Sequence, residues 1–223
     1  MTTLSESAVK CSVCGTNSIV FTISSTNNFE SPDLDSRPGE MERSTIDNWV
    51  QECSNCGLCS DDISMTASID QQFLSSPDYV KQRNQDGIPE KAAQFMCFRL
   101  ICLEQKNYSA AGWNAVHAAW VCDDEQINDF VSFREIAIED FGKAFGSNQS
   151  YAQNKQSQAL VTTDLHRVIG QFKEAKKIME SCISEFELEE PLLSIAKFQL
   201  HLINQQDSII HKIEEAISFS NPS

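Results

Sequence analysis

The chain carries one short string twice, Cys11-Ser12-Val13-Cys14-Gly15 and Cys53-Ser54-Asn55-Cys56-Gly57. In a C-x-x-C-G turn the backbone doubles back so that two thiolates converge on one point, and the glycine takes a positive φ at little steric cost. Two such turns supply four sulfur ligands, enough to close a tetrahedral shell. The pattern predicts one structural Zn²⁺ per chain, held by Cys11, Cys14, Cys53 and Cys56. A closed shell leaves no position for a substrate water, so the metal reads as a staple. Cys59 repeats the spacing after Cys56, and the resulting C-x-x-C-x-x-C string is also part of an iron-sulfur pattern. The fourth Cys followed by Pro that completes that pattern is missing. Gly57, matching Gly15, pairs Cys53 with Cys56 and leaves Cys59 as a spare, partly buried thiol.

The flanks of the knuckles fix their setting. Met1 to Lys10 is polar and reads as frayed. Ser18 to Ile23 is β-branched and aromatic, as expected of a strand leaving a knuckle. Residues 24–44 form a polar loop punctuated by Ser31-Pro32-Asp33 and Arg37-Pro38-Gly39. Ile46, Trp49 and Val50 then read as a return strand, with Trp49 plugging a small ribbon core. In the loop, Asp33, Asp35 and Arg37 alternate, which places them on one side of an extended segment as a salt-bridged anchor, with a ligand contact as the alternative.

From Ser60 to Pro89 the chain is polar again. A short helix is expected around Ile69 to Leu74, with breaks at Ser75-Ser76-Pro77 and Asp86 to Pro89. A helical period then runs almost to the end. Helices are expected over 91–105, from just after Asn107 through Cys122, and along a stripe of Ile127, Phe130, Val131, Ala137, Ile138, Phe141 and Phe145 that stops at Gly146-Ser147-Asn148. Two more, from Tyr151 to Val168 and from Phe172 onward, form a hairpin about Gly170. Pro191 opens a sixth, and Asp207 or Ser208 caps a last one to about Ile217. His117, on an apolar stripe with Trp113 and Trp120, reads as a hydrogen-bonded core histidine, with a ligand or catalytic role as the alternative.

Seventeen Lys and Arg against 32 Asp and Glu leave a net charge of −15. That sign repels phosphate backbones, so nucleic acid is not expected as a partner, and an acidic surface suits a neutral or basic protein or peptide. The chain shows neither a signal peptide nor a membrane span, and nine cysteines suit a reducing compartment, so the expected location is cytoplasmic. There is no Gly-rich phosphate loop, H-E-x-x-H or serine elbow. The chain therefore reads as a non-enzyme.

Tyr108 and Phe172 each follow a turn and each have Ala three residues later, at Ala111 and Ala175. Their separation of 64 positions is close to two tetratricopeptide periods, in which an aromatic and an Ala wedge paired helices together. The whole chain resembles a bacterial family of uncharacterised proteins that joins an N-terminal zinc ribbon to tetratricopeptide-like helices. The likeness rests on the two C-x-x-C-G knuckles, on Asp33-Leu34-Asp35-Ser36-Arg37-Pro38, on Trp49 to Cys53 and on Ala118 to Asp124. Ser12, Ser54 and Leu58 depart from that family, where knuckles often carry Pro and then an aromatic. The resemblance implies a fold and a metal but no activity. The expected class is α+β, mostly α: a small β zinc ribbon with a long polar loop over 1–75, then tetratricopeptide-like hairpins over 76–223. The expected role is a zinc-binding scaffold or adaptor for protein interaction. A zinc-dependent hydrolase or redox enzyme, or a nucleic-acid-binding zinc ribbon, is the alternative.

Overall fold

The computed structural model describes residues 1–66, 68–127 and 130–220, with the side chain of Phe130 outside the described part. Helix accounts for 53% of the described residues and follows a small N-terminal antiparallel ribbon, so the class is α+β and mostly α. Strand β1 (Thr3–Lys10) pairs antiparallel with β2 (Asn17–Ser25), in a register running from Lys10↔Asn17 to Thr3↔Ser25. The expected frayed start is therefore a strand. Half of its residues are Ser, Thr and Glu and all but Val9 are exposed, so no buried apolar alternation marks it, and the tight turn at Cys11 to Thr16 returns the chain for backbone pairing.

The expected return strand through Ile46, Trp49 and Val50 is also corrected. Residues Arg43–Asn48 form a 3₁₀ helix instead. Local side-chain bonds favour this turn: the Thr45 hydroxyl donates to the Glu42 carbonyl at 2.7 Å and accepts the Trp49 indole N–H at 2.8 Å. Around the second knuckle β3 (Gln51–Glu52) pairs antiparallel with β4 (Cys59–Ser60).

Helix α1 spans Gln71–Leu74, capped by Asp70, inside the expected stretch. Ser75-Ser76-Pro77 is a restart rather than a plain break, because Ser76 caps α2 (Pro77–Arg83) and a proline in the first turn gives up no needed hydrogen bond. The long helices are α3 (Glu90–Glu104), α4 (Tyr108–Asp124), α5 (Phe130–Gly146), α6 (Lys155–Val168), α7 (Phe172–Glu185), α8 (Leu192–Gln205) and α9 (Ile213–Ser220). Helices α3 and α4, and α6 and α7, pack as hairpins, with α5 against both α4 and α6. Tyr108 opens α4 and Phe172 opens α7, and Ala111 and Ala175 are fully buried, so the two aromatic-plus-Ala positions occupy the same place in their hairpins.

Helix α8 starts where expected, with the Glu190 carboxylate accepting from the Ser194 N–H at 3.2 Å and its hydroxyl at 2.6 Å. Helix α9 begins later than expected, at Ile213 rather than after Asp207. The Asp207 carboxylate is occupied by the Ile209 N–H at 2.7 Å, and the intervening residues pair with the polar loop: the Leu34 N–H donates to the His211 carbonyl at 2.9 Å and the Ile213 N–H to the Pro32 carbonyl at 2.8 Å.

One apolar cluster joins Cys11, Val20, Ile46, Val50 and Leu58 to Phe95, Trp120 and Phe141, so segments 1–75 and 76–223 share buried contacts. A second cluster forms among α6, α7 and α8 with Leu34 inserted from the loop. Among the described residues no helix is long and apolar enough to cross a membrane.

Candidate metal centre

The two knuckles have the same backbone wiring. The Gly15 N–H donates to the Cys11 carbonyl and the Gly57 N–H to the Cys53 carbonyl, both at 2.9 Å; the Cys11 N–H donates to the Thr16 carbonyl and the Cys53 N–H to the Leu58 carbonyl, again at 2.9 Å. Gly15 and Gly57 both sit at φ 72°, a left-handed conformation that closes each turn and disfavours any side chain. Each turn brings its two sulfurs to the same side, and the turns face each other. The sulfurs of Cys11 and Cys56 lie 3.6 Å apart and those of Cys14 and Cys53 3.5 Å apart.

All four sulfurs lie within 4.8 Å of one another. Ligands at about 2.3 Å in a tetrahedron stand about 3.8 Å apart, so the cluster has the dimensions of a tetrathiolate shell and can hold a metal ion. Its surroundings fit that use. The Ser18 hydroxyl, itself buried, donates to the Cys53 sulfur at 3.9 Å. Hydrogen bonds from the Thr16 side chain, the Asn55 side chain and the Thr16 backbone bring the Cys14 thiol down to about 5, whereas burial pushes Cys11 up. Ser12 ties the first knuckle to the chain beyond the second: its amide and hydroxyl both donate to the Ile63 carbonyl, at 2.9 and 3.0 Å.

Cys59 lies outside the group of four. Its thiol donates to the Gly57 carbonyl at 3.5 Å, its N–H donates to the Tyr79 hydroxyl at 3.1 Å, and it is fully buried, with its pKa raised by the neighbouring Cys97 thiol and by burial. Tyr79 fixes the second knuckle to α2, since its hydroxyl also donates to the Gly57 carbonyl at 2.9 Å. The notes of charge around this knuckle are equally specific: Arg83 bonds Glu52 at 2.7 Å beside Gly57.

Asp33, Asp35 and Arg37 lie in the interior, with 2%, 2% and 3% of their surface exposed. Asp33 accepts from Arg43. The Asp35 carboxylate accepts the Trp120 indole N–H at 2.7 Å and the Arg37 N–H at 3.2 Å, and lies 3.6 Å from Arg134. Arg37 reaches Asp124, and fully buried Arg134 grips Asp123 through two bonds of 3.1 and 2.6 Å. Charges this deep are tolerated only when paired and hydrogen-bonded, so the loop is bolted onto α4 and α5 by ion pairs. Asp164 and Arg167 on α6 continue the interior charge: Arg167 donates to Asp164 and to the carbonyls of Asp207 and Ile209 at 2.8 and 2.7 Å, while burial raises the Asp164 pKa to about 6.

His117 is ringed by Trp49, Phe95, Trp113 and Trp120, with ring centroids 5.1 to 6.2 Å away, and burial pulls its pKa down to about 3. Arg134, Trp120, Tyr79 and Arg43 were not among the candidate residues. An arginine in the apolar stripe of α5, beside Phe133 and Ala137, is the one signal that marks such a partner, since a charge there must find a buried mate. Compared with protein-family models, with curated proteins and with solved structures, the chain matches none.

Proposed function

We propose that the protein is a zinc-stapled, non-catalytic scaffold whose helices bind a segment of another protein in the cytoplasm. The observation that supports this most directly is the four-thiol cluster, which has the spacing of a full tetrahedral shell. A metal enclosed by four thiolates has no position left for a substrate, and Zn²⁺ suits four thiolates without a redox role. The ribbon then acts as a rigid end piece for helical hairpins of the kind that stack into concave binding surfaces, which also favours kinship with the zinc-ribbon and tetratricopeptide-like bacterial family. With a net charge of −15, the chain favours a neutral or basic protein partner over nucleic acid.

The test is affinity purification of the zinc-loaded chain, followed by reconstitution of the complex from purified components and a parallel titration with random DNA and RNA across salt. A defined protein that rebinds in purified form is the expected result. Submicromolar, salt-sensitive nucleic-acid binding without such a partner contradicts the reading and makes the ribbon a nucleic-acid module.

A further inference from the structure

A groove with a volume of about 630 Å³ runs along α6 between α5 and α7. Its floor is a single stripe of α6 in which Lys155, Gln158, Ala159, Thr162 and His166 fall at helical spacing. That stripe is about 16 Å long, or three helical turns. One wall is Ile138, Phe141 and Phe145 of α5; the other is Ile178 and Cys182 of α7, followed by Phe186. Phe145 is 64% exposed although it faces an apolar trough, and the floor between the large walls is small.

We infer that this groove takes an amphipathic α-helix of a partner protein, about three turns long and carrying basic residues at one end. The inference rests on the scaffold reading and adds the site and the ligand class. An extended peptide is a poor occupant because all three walls are helices, whose backbone groups are already bonded internally. The floor offers little in exchange, since the Thr162 hydroxyl is paired with the Tyr151 hydroxyl at 3.0 Å. A strand laid there would bury its own N–H and C=O groups without partners, whereas a helix satisfies its own. Small residues at Ala159 and Thr162 let a helix axis come close while Phe145 and Ile178 pack its flanks.

The charge at the groove ends sets the polarity of the occupant. Residues 172–190, which make one wall and its exit, hold six glutamates against three lysines, and no lysine follows Lys177. Glu185 and Lys155 line the groove at the Phe186 end, and Glu187 and Glu189, both exposed, follow at once in the chain. At the other end Lys177 and Glu174 balance each other. A helix with Lys or Arg at the Glu185 end matches this field, and an acidic one opposes it.

The test uses the full zinc-loaded chain and a displayed library of randomised 14-residue peptides as the probe. Enriched peptides are then synthesised and titrated by fluorescence anisotropy against the parent chain, Phe145→Ser and Ala159→Trp. The expected peptides have apolar residues at i, i+3 or i+4 and i+7 with Lys or Arg at one end, and bind both variants at least tenfold more weakly. Replacing Glu185, Glu187 and Glu189 by Gln is expected to lower the affinity several-fold and flatten its salt dependence. Phe145 is exposed, so Phe145→Ser serves alone should Ala159→Trp fail to fold. Acidic or non-helical peptides, or an empty selection, overturn the inference. Peptides that bind parent and variants equally move the site to another face, overturning the inference while leaving the scaffold reading intact. Sedimentation that shows self-association abolished by Phe145→Ser assigns the groove to a second copy of the chain and likewise overturns it.

Discussion

The knuckles and the loop around Asp33 to Arg37 are both polar stretches held in place without a core of their own, and they are held by different chemistry. The knuckles converge four sulfurs on one point through local turns, with Cys11 to Gly15 and Cys53 to Gly57 each wired the same way. The loop is fixed from a distance: Asp35 and Arg37 reach Trp120, Arg134 and Asp124 on α4 and α5, and Leu34 enters the core of α6 and α8. The metal staple we propose is released by removing one ligand set or the ion itself. An ion-pair bolt is released only by leaving a charge buried and unpaired, so the two anchors are expected to fail independently.

Withdrawal of the metal is expected to have the largest effect, because structural zinc contributes about 10 to 16 kcal/mol of apparent binding energy. Chelation is expected to strip hydrogen-exchange protection from the paired amides of β1 and β2 while the loop over 31–37 keeps its own. Cys53→Ser is expected to lose the metal and Cys59→Ser to keep it, which elemental analysis of the two purified variants reads directly. Equal loss of protection in the loop would show that the anchors are one.

The converse experiment is Asp35→Ala, which strands the Trp120 N–H and removes a carboxylate near Arg134. The expected cost is about 3 to 5 kcal/mol in denaturant unfolding, with full zinc content retained. A cost under about 1 kcal/mol would mean that the loop is only surface-bound.

His117 lies between the two anchors, touching Trp49 just before the second knuckle and Trp120 beneath the loop. Its pKa is held at about 3 by burial, below the ordinary 6.5, so the fold keeps it neutral while the unfolded chain takes up a proton. Its contribution is therefore complete above pH 6.5 and lost as the pH falls toward 3, by up to about 4 kcal/mol. Stability measured from pH 7 to 4 is expected to fall less steeply in His117→Phe than in the parent, and parallel curves would contradict this. Tyr79→Phe should have the smallest effect, about 1 to 2 kcal/mol for two hydrogen bonds to the second knuckle, without loss of metal.

The same contrast explains what was readable in the sequence. A four-sulfur cluster made of two local turns announces itself by spacing, so Cys11, Cys14, Cys53 and Cys56 could be named together, and Gly57 could separate Cys56 from Cys59. Helices showed by their period. Their ends were harder, because five of them close with a residue at positive φ and a backbone bond reaching back five positions, yet only Gly170 is a glycine; Lys106, Gln126, Asn148 and Gln206 do the same work without that signal. Strand β1 was missed because exposed Ser, Thr and Glu pair through backbone alone. The partners of Asp35 lie 85 residues away at Trp120 and farther at Arg134, and a contact of that range leaves no local trace.

X-ray absorption at the metal edge of the purified protein tests the central claim most directly. The account predicts one zinc per chain with four sulfur neighbours at about 2.3 Å. An iron edge, or a zinc with three sulfurs and an oxygen or nitrogen, would contradict the closed staple and reopen the site to chemistry.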